Sequence, residues 1–100
     1  MNQLLLSLGS NLDNRKKNIK KCMEYLNDSE SIDVVLISSL YETSPMYNSN
    51  QEDFINCVIE VETSLNPLEL LSQTQSIEKK MGKQILSDRN QPRKIDIDIL

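Results

Sequence analysis

Phe54-Ile55-Asn56-Cys57-Val58-Ile59-Glu60-Val61-Glu62-Thr63 alternates with a period of two. Successive side chains of a β-strand point to opposite faces. Ile55, Cys57, Ile59 and Val61 therefore share one apolar face, and Phe54, Asn56, Val58, Glu60 and Glu62 share the other. The first face belongs on a core. The polar members of the second imply that at least one of its ends is open to solvent or ligand.

The neighbouring segments supply the rest of a sheet. Ser44 to Gln51, rich in Ser, Asn and Pro, reads as a loop, and the β-branched, apolar Ile32 to Thr43 before it reads as one strand. Further back, Leu4 to Leu8 is a short apolar run closed by Gly9-Ser10-Asn11, a buried strand and its turn. Leu12, Ile19, Cys22, Met23 and Leu26 form one stripe of a helix capped near Asn11 or Asp13 and stopped at Asn27-Asp28-Ser29. After the alternating strand, Asn66-Pro67 starts a second helix, with Asn as cap and Pro at the first helical position. Leu68, Leu71, Ile77 and Met81 are its expected buried stripe, and Gly82 its stop. Lys83 to Arg93 is a basic loop containing Pro92, and Ile95 to Leu100 is a strand alternating apolar and acidic residues.

The order β-α-β-β-α-β is that of an α+β, ferredoxin-like split βαβ fold, an antiparallel sheet with helices on one face. The 100 residues suit a single domain. The last strand reaches Leu100 with no turn or polar tail after it, so the domain is expected to be C-terminally incomplete over residues 1–100.

Composition narrows the function. The net charge of −4 gives no domain-wide basic footprint for nucleic acid, and lysines and arginines cluster only locally, at Lys16 to Lys21 and Lys79 to Lys94. The absence of histidine excludes His-based metal sites and His general bases within these residues. Two cysteines, Cys22 and Cys57, lie in apolar-patterned segments and read as reduced, buried thiols. The N-terminal apolar run has no basic flank and is too short for a signal peptide or a membrane span, so a cytoplasmic protein is expected.

Asp96-Ile97-Asp98 carries the most chemistry. In a strand both carboxylates project to one face while Ile95, Ile97 and Ile99 face the core. Two adjacent carboxylates repel unless a cation or proton sits between them, and hard oxygen donors suit magnesium together with substrate phosphates. Taken alone, the same motif also fits an edge strand whose charges block aggregation. Arg89 and Arg93, with Pro92 between them, add guanidinium groups that match phosphate oxygens. Such a basic and metal-binding neighbourhood is what polyphosphate transfer requires. Gln75 and Glu78 share a helix face, and Glu78 reads equally as a buried acceptor or a surface charge. Phe54 and Asn56 share a strand face, a ring and an amide suited to a flat heterocycle, or else a half-buried Phe beside a surface Asn.

Several segments together resemble one family: Leu8-Gly9-Ser10-Asn11-Leu12, Ser39-Leu40-Tyr41-Glu42-Thr43-Ser44-Pro45, Asp53-Phe54-Ile55-Asn56, Glu62-Thr63-Ser64-Leu65 with Pro67, Gln75-Ser76-Ile77-Glu78, and Pro92-Arg93-Lys94-Ile95-Asp96-Ile97-Asp98-Ile99-Leu100. The family is 6-hydroxymethyl-7,8-dihydropterin pyrophosphokinase, of folate synthesis. The resemblance implies a ferredoxin-like core and transfer of pyrophosphate from ATP to the pterin hydroxymethyl oxygen, giving AMP. It implies that Asp96 and Asp98 hold two magnesium ions and that Gln75, Glu78, Lys83, Arg89, Arg93 and Ile99 contact the nucleotide, with Arg89, Arg93 and Asp98 catalytic. Thr43, Ser44, Pro45, Phe54 and Asn56 would line the pterin pocket, with Phe54 stacking. The implied partners are ATP and the pterin, with no nucleic acid or membrane, in a monomer that can stand beside other folate-pathway enzymes.

The chain departs from the family at Asn90, where Trp is common, at Ser44, where Pro is common, and at Ile85 and Lys83, where basic residues and Arg occur. Members also carry a C-terminal part with a second stacking aromatic and further nucleotide contacts, so residues 1–100 alone are expected to be impaired. Two rival readings are a phosphoesterase using the same aspartates and a non-catalytic module. RNA binding by such a module is disfavoured by four aromatics and the negative charge.

Overall fold

A computed structural model describes residues 1–45, 51–82 and 92–100. Among these residues the elements are β1 (Asn2–Ser10), α1 (Arg15–Asp28), β2 (Ile32–Ile37), β3 (Tyr41–Thr43), β4 (Phe54–Thr63), α2 (Pro67–Lys80) and β5 (Asp96–Ile99). The strands form one sheet in the order β2-β4-β1-β5, with β3 also on β4, and every pairing is antiparallel. This is the expected α+β, ferredoxin-like arrangement.

The alternation of β4 is realised residue by residue: Ile55, Cys57, Ile59, Val61 and Thr63 are buried, and each intervening residue is half-buried. β1 runs beside it from Asn2↔Thr63 to Ser10↔Ile55. On the covered face, Leu6 and Leu8 of β1, the β4 residues, Ile95 and Ile97 meet Ile19, Cys22 and Leu26 of α1 and Leu70 and Ile77 of α2 in one core. Both helices thus lie on the same side of the sheet. Each fully buried aliphatic side chain contributes about 1.5–3 kcal/mol.

Four local expectations change. Gly9 and Ser10, read as part of a turn, are the last two residues of β1 and pair with Asn56 and Ile55. Ile32 to Thr43 is two strands, because the Ser38 hydroxyl accepts from the Val58 N–H at 2.8 Å, taking a donor that an unbroken ladder would give to a carbonyl. A register shift between Val34 and Leu36 adds to the irregularity. The α1 cap is Asn14, whose Oδ1 accepts from the Lys17 N–H at 3.1 Å. Asp13 is unsuited to capping because its φ of 59° is left-handed, whereas a cap needs extended backbone, and Asn11 is bonded elsewhere.

The buried stripe of α2 holds Ile77 and Met81 as expected and differs from expectation in the first half of the helix. Leu68 is 79% exposed and Leu71 40%, while Leu70, Thr74, Ile77 and Glu78 are buried. Apolar residues on several sides of this helix made its period ambiguous. Its ends are as expected: Asn66 and Glu69 exchange bonds in a capping box with Pro67 in the first turn, and Gly82 follows the helix at φ +102°.

Cys22 and Cys57 are free and buried. Burial, with Cys57 and Glu78 nearby, pushes the Cys22 thiol up to about 12, and burial also raises Cys57. The native state therefore holds protons that the unfolded chain releases above its ordinary thiol value of about 9. Stability from this source is complete below pH 9 and is lost as pH rises toward 12. Chemical denaturation as a function of pH should show this fall, at most about 1.4 kcal/mol per unit for one group. The Cys22→Ala slope should be shallower in that window.

Candidate functional site

The site arises from the face of the sheet that the helices leave open. Directly paired residues of antiparallel strands share a face. Gly9 of β1 pairs with Asn56 on one side and Asp96 on the other, and Tyr41 extends this row through Asn56. One step along β1, Ser7 lies between Val58 and Asp98. A cleft of about 350 Å³ opens over these rows. Asp96 and Asp98 line one side, and Ser7 and Gly9 lie between them and Phe54 and Asn56. Thr43, Ser44, Pro45 and Gln51 complete the lining.

Gly9 makes the middle of this cleft possible. A Cβ placed on it would stand 2.8 Å from Asn56 Oδ1 and 3.4 Å from a ring carbon of Phe54. The missing side chain thus lets the amide and the ring approach the sheet. Asn56 Nδ2 donates to Thr43 Oγ1 at 2.9 Å and to the Tyr41 carbonyl at 3.4 Å. These bonds fix the amide plane and tie β3 to the cleft.

At the carboxylate side, Asp96 and Asp98 project from the same face of β5 while Ile97 between them is buried. Arg93 Nη1 donates to both oxygens of Asp96, at 2.9 and 3.2 Å. The pair is part-buried, so this guanidinium offsets some of the repulsion between the two aspartates. Among the described residues no group of three or more His, Cys, Asp or Glu side chains gathers as a metal cage. Two carboxylates on an open face instead suit a magnesium ion that keeps waters and takes phosphate oxygens.

The residues expected to contact a nucleotide are more scattered. Gln75 is exposed on α2, and Ile99 is half-buried on β5. Glu78 is buried, and its Oε2 accepts from the Ile97 N–H at 2.9 Å, so it is an acceptor rather than a surface charge. None of these three lines the cleft. Lys83, Ile85, Arg89 and Asn90 lie outside the described residues.

Sequence reasoning missed the role of Asn11. Its side chain is 2% exposed, donates to Gln51 Oε1 at 2.8 Å and the Glu52 carbonyl at 3.3 Å, and accepts from the Arg93 N–H at 2.8 Å. Its own N–H donates to the Arg93 carbonyl at 3.0 Å. Asn11 therefore joins the segment before β4 to the one before β5. Nearby, Asn18 Nδ2 donates to the Leu12 carbonyl and Ser10 Oγ, and Arg15 donates to the Asp53 carbonyl. The available signal was an amide directly after the Gly-Ser pair that ends a buried strand.

The family model described as 7,8-dihydro-6-hydroxymethylpterin-pyrophosphokinase (HPPK) matches residues 5–100. The chain belongs to this family. It is 39% identical over 95 residues to the 2-amino-4-hydroxy-6-hydroxymethyldihydropteridine pyrophosphokinase of Bacillus subtilis, covering 95% of the chain and 56% of the relative. It is 45% identical over 95 residues to the folic acid synthesis protein fol1 of Pneumocystis carinii, 95% of the chain and 13% of the relative. It is 40% identical over 98 residues to a folate synthesis bifunctional protein of Arabidopsis thaliana, 98% of the chain and 20% of the relative. The chain thus spans about half the length of the bacterial relative and a smaller part of the others.

Asn11→Ala should leave the Arg93 N–H without its side-chain acceptor and release the 51–52 backbone. A loss of about 1–3 kcal/mol in urea denaturation is expected, the cost of a buried polar group left unsatisfied.

Proposed function

We propose that the protein transfers pyrophosphate from ATP to 6-hydroxymethyl-7,8-dihydropterin, giving AMP and the pterin diphosphate, as a magnesium-dependent step of folate biosynthesis. One observation carries this reading: the carboxylate pair and the ring-and-amide pair line a single cleft, joined across Gly9 and Ser7. A phosphate chain held at one side and a flat acceptor held at the other would then meet over the middle of the sheet.

The chain's own residues divide the work. Phe54 would stack on the pterin and Asn56 would hydrogen-bond its edge, with Thr43, Ser44 and Pro45 closing that side. Asp96 and Asp98 would hold two magnesium ions, which when bound neutralise phosphate charge and align the chain for in-line attack. Arg93 already stands on Asp96, and Arg89 and Lys83 are proposed, from the family resemblance, to contact the phosphates as well. Gln75 and Ile99 are proposed to contact the nucleotide. Asp98 is exposed, and among the described residues the nearby arginine, Arg93, is bonded to Asp96 at 2.9 Å, so Asp98 is proposed to receive the hydroxyl proton. Residues 1–100 are read as part of one pyrophosphokinase domain in a cytoplasmic monomer able to stand beside other folate-pathway enzymes. No helix among the described residues is long and apolar enough to cross a membrane.

An AMP-release assay with ATP, magnesium and hydroxymethyldihydropterin tests the proposal. AMP should form only with the pterin present, and Asp98→Ala should reduce the rate by about 10²-fold or more, the usual scale for loss of transition-state charge stabilisation. Phosphate released without pterin would point to an esterase instead. Gly9→Ala should raise the KM for the pterin by about tenfold, because the added methyl group displaces Asn56, a weakening of about 1.4 kcal/mol. The KM for ATP should move less.

A further inference from the structure

β5 is four residues long and, among the described residues, lies at the edge of the sheet and pairs only with β1. Along such a strand the N–H groups point alternately to the neighbour and away from it. The Leu100 N–H donates to the Leu5 carbonyl at 2.9 Å, which places the even-numbered donors of this segment toward β1. The Ile97 N–H is therefore one that points outward. It is met by Glu78 Oε2 at 2.9 Å, in a bond that is buried.

The position of this bond gives it consequence. Ile97 stands between Asp96 and Asp98, so its amide belongs to the stretch of backbone that joins the two. Glu78 itself is 6% exposed and rides on a helix anchored in the core by Leu70 and Ile77 and packed against β5. The helix is thus a fixed arm, and its carboxylate accepts the bond from the Ile97 N–H. Glu78 does not line the cleft in which the aspartates stand.

We propose that Glu78 is a positioning residue for the metal-binding pair: by holding the outward Ile97 N–H from beneath the edge of β5, it sets where Asp96 and Asp98 stand. Its effect on the nucleotide is then exerted through the strand rather than by direct contact. The catalytic part of this inference rests on the pyrophosphokinase reading, while the structural part does not.

Two substitutions separate the acceptor from the charge. Glu78→Gln keeps an oxygen acceptor at the same reach and removes the charge. Glu78→Asp keeps the charge and withdraws the acceptor by one methylene. Amide hydrogen exchange at Ile97, read by NMR without substrate, should quicken about tenfold or more in Glu78→Asp and stay within about threefold of the parent in Glu78→Gln, relative to the amides of Leu6 and Ile59 in the same samples. In the pterin-dependent AMP assay, Glu78→Asp should lower kcat about tenfold and raise the magnesium concentration for half-maximal activity, with the KM for the pterin unchanged. Glu78→Gln should retain most of the activity. Unchanged Ile97 exchange in Glu78→Asp would overturn the proposal, as would a Glu78→Gln variant as impaired as Glu78→Asp in kcat. Should the parent protein transfer no pyrophosphate, the functional reading fails, and the exchange ranking still decides whether Glu78 holds the strand.

Discussion

The pairing register of β1 is the constraint on which the site depends. This strand is bonded on both sides, to β4 and to β5, so its alternation is imposed on both neighbours at once. Leu6 and Leu8 must face the core, which leaves Ser7 and Gly9 on the open face, and with them Val58 and Asn56 on one flank and Asp98 and Asp96 on the other. A slip of one residue on either side would turn a flank of the site into the core and put isoleucines on the surface. Hydrophobic burial on one face of the sheet thereby determines which polar groups meet on the other.

Around this register, side chains do what backbone ladders leave undone. Ser38 bonds to β4 where the edge of the sheet breaks, Glu78 bonds to the outer side of β5, and Asn11 links the segments that precede β4 and β5. Each is a polar residue with a long-range partner, and each lies where, among the described residues, a strand lacks a neighbour or two segments converge. Apolar packing holds the centre of the sheet, and individual hydrogen bonds hold its margin. Those bonds are directional and can be altered one at a time without emptying the core.

The architecture was legible because its signals are local. Period-two alternation in Phe54 to Thr63, the apolar run Leu4 to Leu8 and the Asn66-Pro67 cap each report on a few adjacent residues, and their order defines the fold. The opposition of Phe54 and Asn56 to Asp96 and Asp98 is not legible in the sequence, since it depends on β1 pairing with both β4 and β5, each remote from it along the chain. What stayed hidden was similarly non-local. Apolar residues on several sides of α2 concealed which stripe is buried, so Leu68 and Leu71 are expected inside where Leu70 and Thr74 are found. Asn11 resembled a helix cap because nothing in its own neighbourhood shows Arg93 or Gln51. Ser38 lies inside a β-branched run whose composition gives no hint that a hydroxyl would replace a rung of the ladder.

The central claim is that the open-face aspartates form the metal and phosphate side of a cleft shared with the acceptor pocket. Manganese is a paramagnetic stand-in for magnesium, and in the presence of a non-hydrolysable ATP analogue it tests that claim directly by NMR line broadening of backbone amides. The account predicts broadening centred on Asp96 to Asp98 and on Ser7 and Gly9, weakening toward Asn56, and abolished in Asp98→Ala. Broadening centred on the α1 or β2 side of the molecule, or unchanged in Asp98→Ala, would contradict it.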